Sequence, residues 1–197
     1  VLSVDEGLGR LIATLEAEGI LDETMVVFTS DNGFFFGEHW LSQERRLPYE
    51  ESIRQPLLVR YPPLADAGAR IDGLAGSVDL APTVLDVGGA EIGDHVQGRS
   101  LVPLMRGDDA DWRKSILIEF YTHENPRPWL MDMDYRAVRT ERYKLVHWMQ
   151  HPKERELYDL QEDPYEQRNL IDDPSMQDVL AELDAELSAR VLEAMGL

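Results

Sequence analysis

Apolar residues recur at helical intervals near the start of the chain, at Leu8, Leu11, Ile12 and Leu15, and the run stops at Gly19. Ser3 and Glu6 precede it with capping-box spacing, so the pattern predicts an amphipathic helix. From Met25 to Thr29 the period vanishes, and a short continuous apolar and β-branched run takes its place. That is the signature of a strand covered on both faces. Pro56 to Tyr61 repeats it and is closed by Pro62-Pro63. Asp79 then opens LAPTVLDVGG, a short helix framed by Pro82 in its first turn and Gly88-Gly89 at its end. Gly93, Gly98, Pro103 and Gly107 punctuate an irregular stretch, and a domain boundary is expected near Asp108.

Beyond that point the pattern changes. Ser115–Tyr121, Tyr135–Thr140 and Tyr143–Trp148 read as strands, the last two joined by a tight Glu141-Arg142 turn, with Glu156–Leu160 as a fourth. Short connections imply an antiparallel sheet. Pro174 to Ala194 closes the chain as a helix whose apolar stripe is Val179, Leu180, Leu183, Leu187 and Val191. The fold class is therefore α/β: an α/β portion over residues 1–108, then a small antiparallel sheet with a helix over 109–197.

Charge narrows the partners. Thirty-eight acidic residues oppose 19 basic ones, a formal net charge of −19. A nucleic acid partner is excluded on that balance, because a phosphate backbone wants a basic face. No window approaches the roughly 18 apolar residues that a membrane-spanning helix needs. The absence of cysteine removes disulfides and thiolate metal sites. The first residues lack an initiator methionine and already lie in a helical pattern. We therefore expect a piece of a longer protein, with any leader upstream.

The candidate chemistry lies in FTSDNGFFFGEH, residues 28–39. An apolar strand ends at Asp31-Asn32-Gly33, and in open α/β sheets ligands collect at such carboxyl ends. A carboxylate beside a carboxamide offers two hard oxygen donors, suited to calcium or magnesium rather than zinc. The same tripeptide is also a common turn, and by itself does not distinguish the two.

TSDNG, GEH and RRLPYEESIRQPLLVRYP, in that order, resemble the second half of the catalytic domain of type I sulfatases, the arylsulfatase-like members of the alkaline phosphatase superfamily. Further matches are SVDEGLGRLIATLEAEGILDETMVVFTSDNG, SVDLAPTVLDVGGA, YRAVRTERYKLVHW and ELYDLQEDPYEQRNL, so the resemblance spans the chain. It implies that residues 1–108 are the C-terminal half of a mixed-sheet α/β/α catalytic domain and 109–197 its small C-terminal subdomain.

The resemblance also implies a sulfuric ester hydrolase with calcium, or magnesium, held by four side chains. Asp31 and Asn32 match two of them, and the other two are aspartates earlier in the family. The family nucleophile, a formylglycine made within C/S-x-P/A-x-R, has no counterpart among these residues. A family lysine that contacts the sulfate, four residues before the aromatic of the YE motif, falls on Arg45, with Arg46 as the alternative register. Arginine keeps the charge and forks onto two oxygens but cannot supply a proton. His39 either touches the substrate pocket or is a structural hydrogen-bonding group. His123, with Arg127 and Trp129, lies where the small subdomain of such enzymes reaches over the pocket.

A sulfated small molecule or glycan is the implied substrate, and a periplasmic or secreted location fits the family without excluding the cytoplasm. Two other readings stand beside this one: a phosphodiesterase or phosphonate monoester hydrolase of the same superfamily, and a catalytically inactive module that binds sulfated glycans.

Overall fold

A computed structural model describes residues 2–42, 44–121 and 132–196. Helix α1 (Leu2–Ala17) leads to strand β1 (Val26–Thr29), which pairs antiparallel with β2 (Leu57–Arg60) in the register Val27 to Val59 and Phe28 to Leu58. Between them lie a loop over 30–49 and the short helix α2 (Glu50–Ile53). Helices α3 (Leu80–Val87) and α4 (Val102–Met105) follow. Strands β3 (Ser115–Phe120), β4 (Tyr135–Thr140), β5 (Tyr143–Trp148) and β6 (Arg155–Asp159) then form an antiparallel sheet in sequential order, and α5 (Gln177–Ala194) closes the fold.

The antiparallel sheet and terminal helix agree with the sequence pattern almost residue for residue. Strand period two explains how the sheet is packed. Val138, Leu145 and Leu157 point to one face, where they meet Leu183 and Leu187 of α5 in one apolar cluster. Ala137, Val146, Trp148 and Tyr135 point to the other, where they meet Phe35 and Leu47 from the 30–49 loop. The loop that carries the candidate site therefore lies on the second face of the small sheet.

Two expectations are corrected. Ser3 lies inside α1 rather than capping it, since the helix already includes Leu2. Strands β1 and β2 are not covered on both faces: Phe28, Leu57 and Leu58 are 37%, 37% and 59% exposed. The reason is that the two strands pair only with each other among the described residues, and α1 buries none of its own side chains. Their apolar composition is that of central strands, but the layer that would cover them is not supplied by these residues.

A buried ion pair fixes the irregular middle of the chain. Asp79, fully buried, accepts two hydrogen bonds from Arg113 at 2.6 and 2.7 Å, and the amides of Gly76 and Arg99 donate to it at 2.8 Å each. Every lone pair direction of the carboxylate is used, which is the condition under which a buried charge is tolerated.

Candidate active site

The site is assembled around the turn that ends β1. The Asn32 amide donates to Asp31 Oδ1 at 2.9 Å, and the Ser30 hydroxyl donates to the Asn32 carbonyl at 2.9 Å. Gly33 then passes under α2: its amide donates to the Ser52 carbonyl at 2.7 Å, and a Cβ at this position would fall 1.9 Å from the Glu51 carbonyl oxygen. Only glycine allows so close an approach of two backbones. The DNG and YEES segments, far apart in the pattern of motifs, are here one packed unit.

Arg45 reaches the pair from the far end of the loop, with Nη1 3.3 Å from Asp31 Oδ2. Both side chains are open to solvent, at 49% and 70% exposure, so a ligand can reach the pair from outside. The Asp31 carboxyl is held below its usual range, first by the backbone amide of Asn32, then by the Asn32 side chain and the Arg45 charge. These contacts favour the ionised form of the carboxylate. Asn32, Arg45 and Arg46 line a cleft of about 1800 Å³ that continues along β2 and the edge strand β3.

Arg46 is turned inward. Its Nη1 lies 3.1 Å from Glu44 Oε1, and that buried oxygen also accepts the amides of Arg45 and Arg46 at 2.8 and 3.0 Å. Glu44 thus organises the turn from which Arg45 projects. His39 packs its ring on Tyr49 at 4.1 Å between centroids, nearly parallel, and places Nε2 3.4 Å from Glu51 Oε2. Its φ of 51°, with 60° at Trp40, gives two consecutive residues in left-handed backbone. Such strain persists only where surroundings enforce it. Of the three phenylalanines, Phe35 is fully buried against His39 and Tyr49, whereas Phe36 is 84% exposed. His123 lies outside the described residues, as do Arg127 and Trp129.

Hard-oxygen donors and an ionised carboxylate fit a calcium or magnesium ion. Among the described residues, however, no group of three or more His, Cys, Asp or Glu side chains could hold a metal, so an ion at this pair would need further ligands from elsewhere. The sequence pattern singled out Asp31, Asn32 and Arg45, which the structure brings together. It missed Glu44 and Glu51, because acidic residues beside arginines read as a solvated surface. It also missed Lys144 and Glu166, which reach α2 from about a hundred residues away (Glu50 lies 94 and 116 positions from them) and carry no local signal.

A mixed α/β portion joined to a four-stranded antiparallel sheet with a packed helix, and a strand end bearing Asp-Asn with an arginine beside it, define the C-terminal part of a sulfatase of the alkaline phosphatase superfamily. Residues 37–193 match the family described as N-sulphoglucosamine sulphohydrolase, C-terminal, and the chain belongs to it. It is 42% identical over 175 residues to the N-acetylglucosamine-6-O-sulfatase of Bacteroides thetaiotaomicron, covering 87% of this chain and 30% of that protein. Among solved structures, one of a protein in complex with its substrate D-glucosamine-2-N,6-O-disulfate superposes with a TM-score of 0.89 and 38% identity, covering 96% of this chain and 38% of that one. A phosphonate monoester hydrolase from Silicibacter pomeroyi superposes at 0.80 with 31% identity, over 97% of this chain and 38% of that one. The chain thus spans about a third of the length of these relatives.

Proposed function

We propose that this chain is the C-terminal part of a sulfuric ester hydrolase acting on a sulfated glycan, and that Asp31, Asn32 and Arg45 form its share of the sulfate site. The observation that carries the reading is the convergence of Arg45 on Asp31, 3.3 Å apart although they lie 14 positions apart in the chain. The amino-sugar sulfate named for the relatives supports a glycan substrate.

Asp31 and Asn32 would hold calcium, or magnesium, together with acidic residues elsewhere in the protein; when bound, the ion supplies Lewis-acid stabilisation of charge on the sulfate oxygens. The nucleophile expected for this family, a formylglycine, would also come from outside these residues. The part played by this chain is electrostatic. Arg45 donates to sulfate oxygens and offsets the charge that builds as the ester bond to the leaving alcohol breaks. Its guanidinium stays protonated throughout, so the proton taken up by the leaving alcohol comes from another group. The Glu44 carboxylate fixes the turn behind Arg45, and this preorganisation lets the cation act without rearrangement.

Phosphonate or phosphodiester hydrolysis is the second reading, favoured by the superposition on a phosphonate monoester hydrolase. Asn32 speaks for sulfate, since such relatives more often carry Asp-His at this place. The experiment is a side-by-side measurement of kcat/KM for a sulfate and a phosphonate ester by the full-length protein. We expect the sulfate ester to be preferred; a preference for the phosphonate would reverse the assignment. These 197 residues alone are expected to release no sulfate from a chromogenic aryl sulfate.

A further inference from the structure

Two wholly buried charges lie against α2 without any part in the chemistry described so far. Lys144 on β5 places Nζ 2.5 Å from Glu166 Oε1, and both side chains are 0% exposed. The other Glu166 oxygen, Oε2, accepts the backbone amide of Glu50 at 2.7 Å. Glu50 is the first residue of α2, and its own carboxylate accepts from Arg139 Nη2 at 3.2 Å and Lys144 Nζ at 3.3 Å. Arg139 and Lys144 share the face of the sheet on which the site loop lies, as strand alternation from Ala137 and Val146 requires.

A four-residue helix cannot hold its own position, since a single turn recovers too few hydrogen bonds for the backbone order it demands. Here the position is imposed from two sides. The small sheet grips the first residue of α2 through Glu166, Lys144 and Arg139. The far side of α2 grips the site: Ser52 accepts the Gly33 amide at 2.7 Å, and the Glu51 carbonyl leaves no space for a Cβ on Gly33. Glu166 itself adopts a φ of 51°, a left-handed conformation that its buried carboxylate contacts hold in place.

We propose that Glu166, oriented by Lys144, is a positioning residue: by accepting the Glu50 amide it sets where α2 lies and, through the Ser52–Gly33 hydrogen bond, where Asp31 and Asn32 present their oxygens. The proposal rests on the reading of those two residues as metal ligands. It makes the small C-terminal sheet a working part of the site rather than a covering for it.

The test compares variants of the full-length protein by two measurements. One is amide hydrogen exchange at Gly33 in metal-free protein, and the other is calorimetric titration with calcium chloride. Glu166→Leu is expected to speed Gly33 exchange about tenfold, as loss of an anchoring hydrogen bond allows local opening, while β4 and β5 amides change by less than about threefold. Calcium affinity should weaken about tenfold, the usual effect of removing a group that supports metal ligands. The double variant Lys144→Met with Glu166→Gln keeps an oxygen for the Glu50 amide and drops both charges. It should return Gly33 exchange to within about twofold of the parent, which simple relief of a buried charge by leucine would not.

A folded Glu166→Leu with Gly33 exchange and calcium affinity both within about twofold of the parent overturns the proposal. If that variant does not fold, Arg139→Met carries the same expectation at about threefold for Gly33, and no change there overturns it equally. Asp31→Ala separates the two layers of inference. Unaltered calcium binding in that variant would refute the metal assignment, while Gly33 exchange, which needs no metal, still decides whether Glu166 positions the turn.

Discussion

The two faces of the four-stranded sheet are packed by opposite means. Toward α5 the contact is apolar, with Val138, Leu145 and Leu157 against Leu183 and Leu187. Toward the site loop, apolar contacts from Ala137 and Val146 are joined by Arg139, Lys144 and, from the loop after β6, Glu166, all directed at Glu50. Apolar packing is non-directional and tolerates small shifts, whereas charge-assisted hydrogen bonds specify distance and angle. The difference teaches how each face works: one buries apolar side chains, the other holds the first residue of α2 by directed hydrogen bonds.

That contrast can be broken by experiment. The largest effect is expected at the site: Arg45→Ala in the full-length protein should lower kcat/KM for an aryl sulfate by about 10²- to 10³-fold, with the unfolding midpoint unchanged. Activity within tenfold of the parent would remove Arg45 from the machinery. Leu145→Ala, on the α5 face, should do the reverse. Urea unfolding should show about 2–5 kcal/mol of lost stability, with kcat/KM of the folded fraction close to that of the parent.

A smaller, pH-dependent effect is expected on the loop face. Burial raises the Glu166 carboxyl from 4.5 to about 7, against the opposing pull of Lys144 and the Glu50 amide. The groups facing it are Lys144 from β5, Glu50 from α2, and the Tyr49 and Tyr158 phenols. A raised carboxyl stabilises the fold fully below pH 4.5, and that contribution is lost as pH rises through about 7. The stability of the parent relative to Glu166→Gln should therefore fall between these limits, by at most about 3 kcal/mol, in urea titrations at pH 4.5 and 8. A difference independent of pH would show that the carboxyl is already ionised at the acid limit. The smallest effect concerns His39, whose stack on Tyr49 should be worth about 1 kcal/mol by a double-mutant cycle with Tyr49→Leu.

Legibility in the sequence tracked the range of the forces involved. Strands β4 and β5 were found at their ends because alternation and a two-residue turn are local signals. The α5 stripe was found for the same reason, and all five of its apolar positions meet the sheet. Strands β1 and β2 were read correctly as strands, but the layer that would cover them is not supplied by these residues, since an apolar run reports what a strand can bury and not which segment covers it. Asp31 and Arg45 were found as separate residues on motifs. Their meeting depends on the loop lying back on the sheet through Phe35 and Leu47, a long-range event.

By itself, then, the sequence determined the element types, the antiparallel sheet with its helix and the family resemblance that Asp31-Asn32-Gly33, the YE motif and the distal strands carry together. Each of these rests on neighbours within a few residues or on the order of motifs. Only the tertiary structure decided that Arg45 faces Asp31 while Arg46 turns to Glu44, that Gly33 must be glycine because α2 crosses it, and that Glu166 holds α2 from 116 residues away. Those outcomes depend on backbone segments brought together by burial, and no local pattern in the chain records which segments meet.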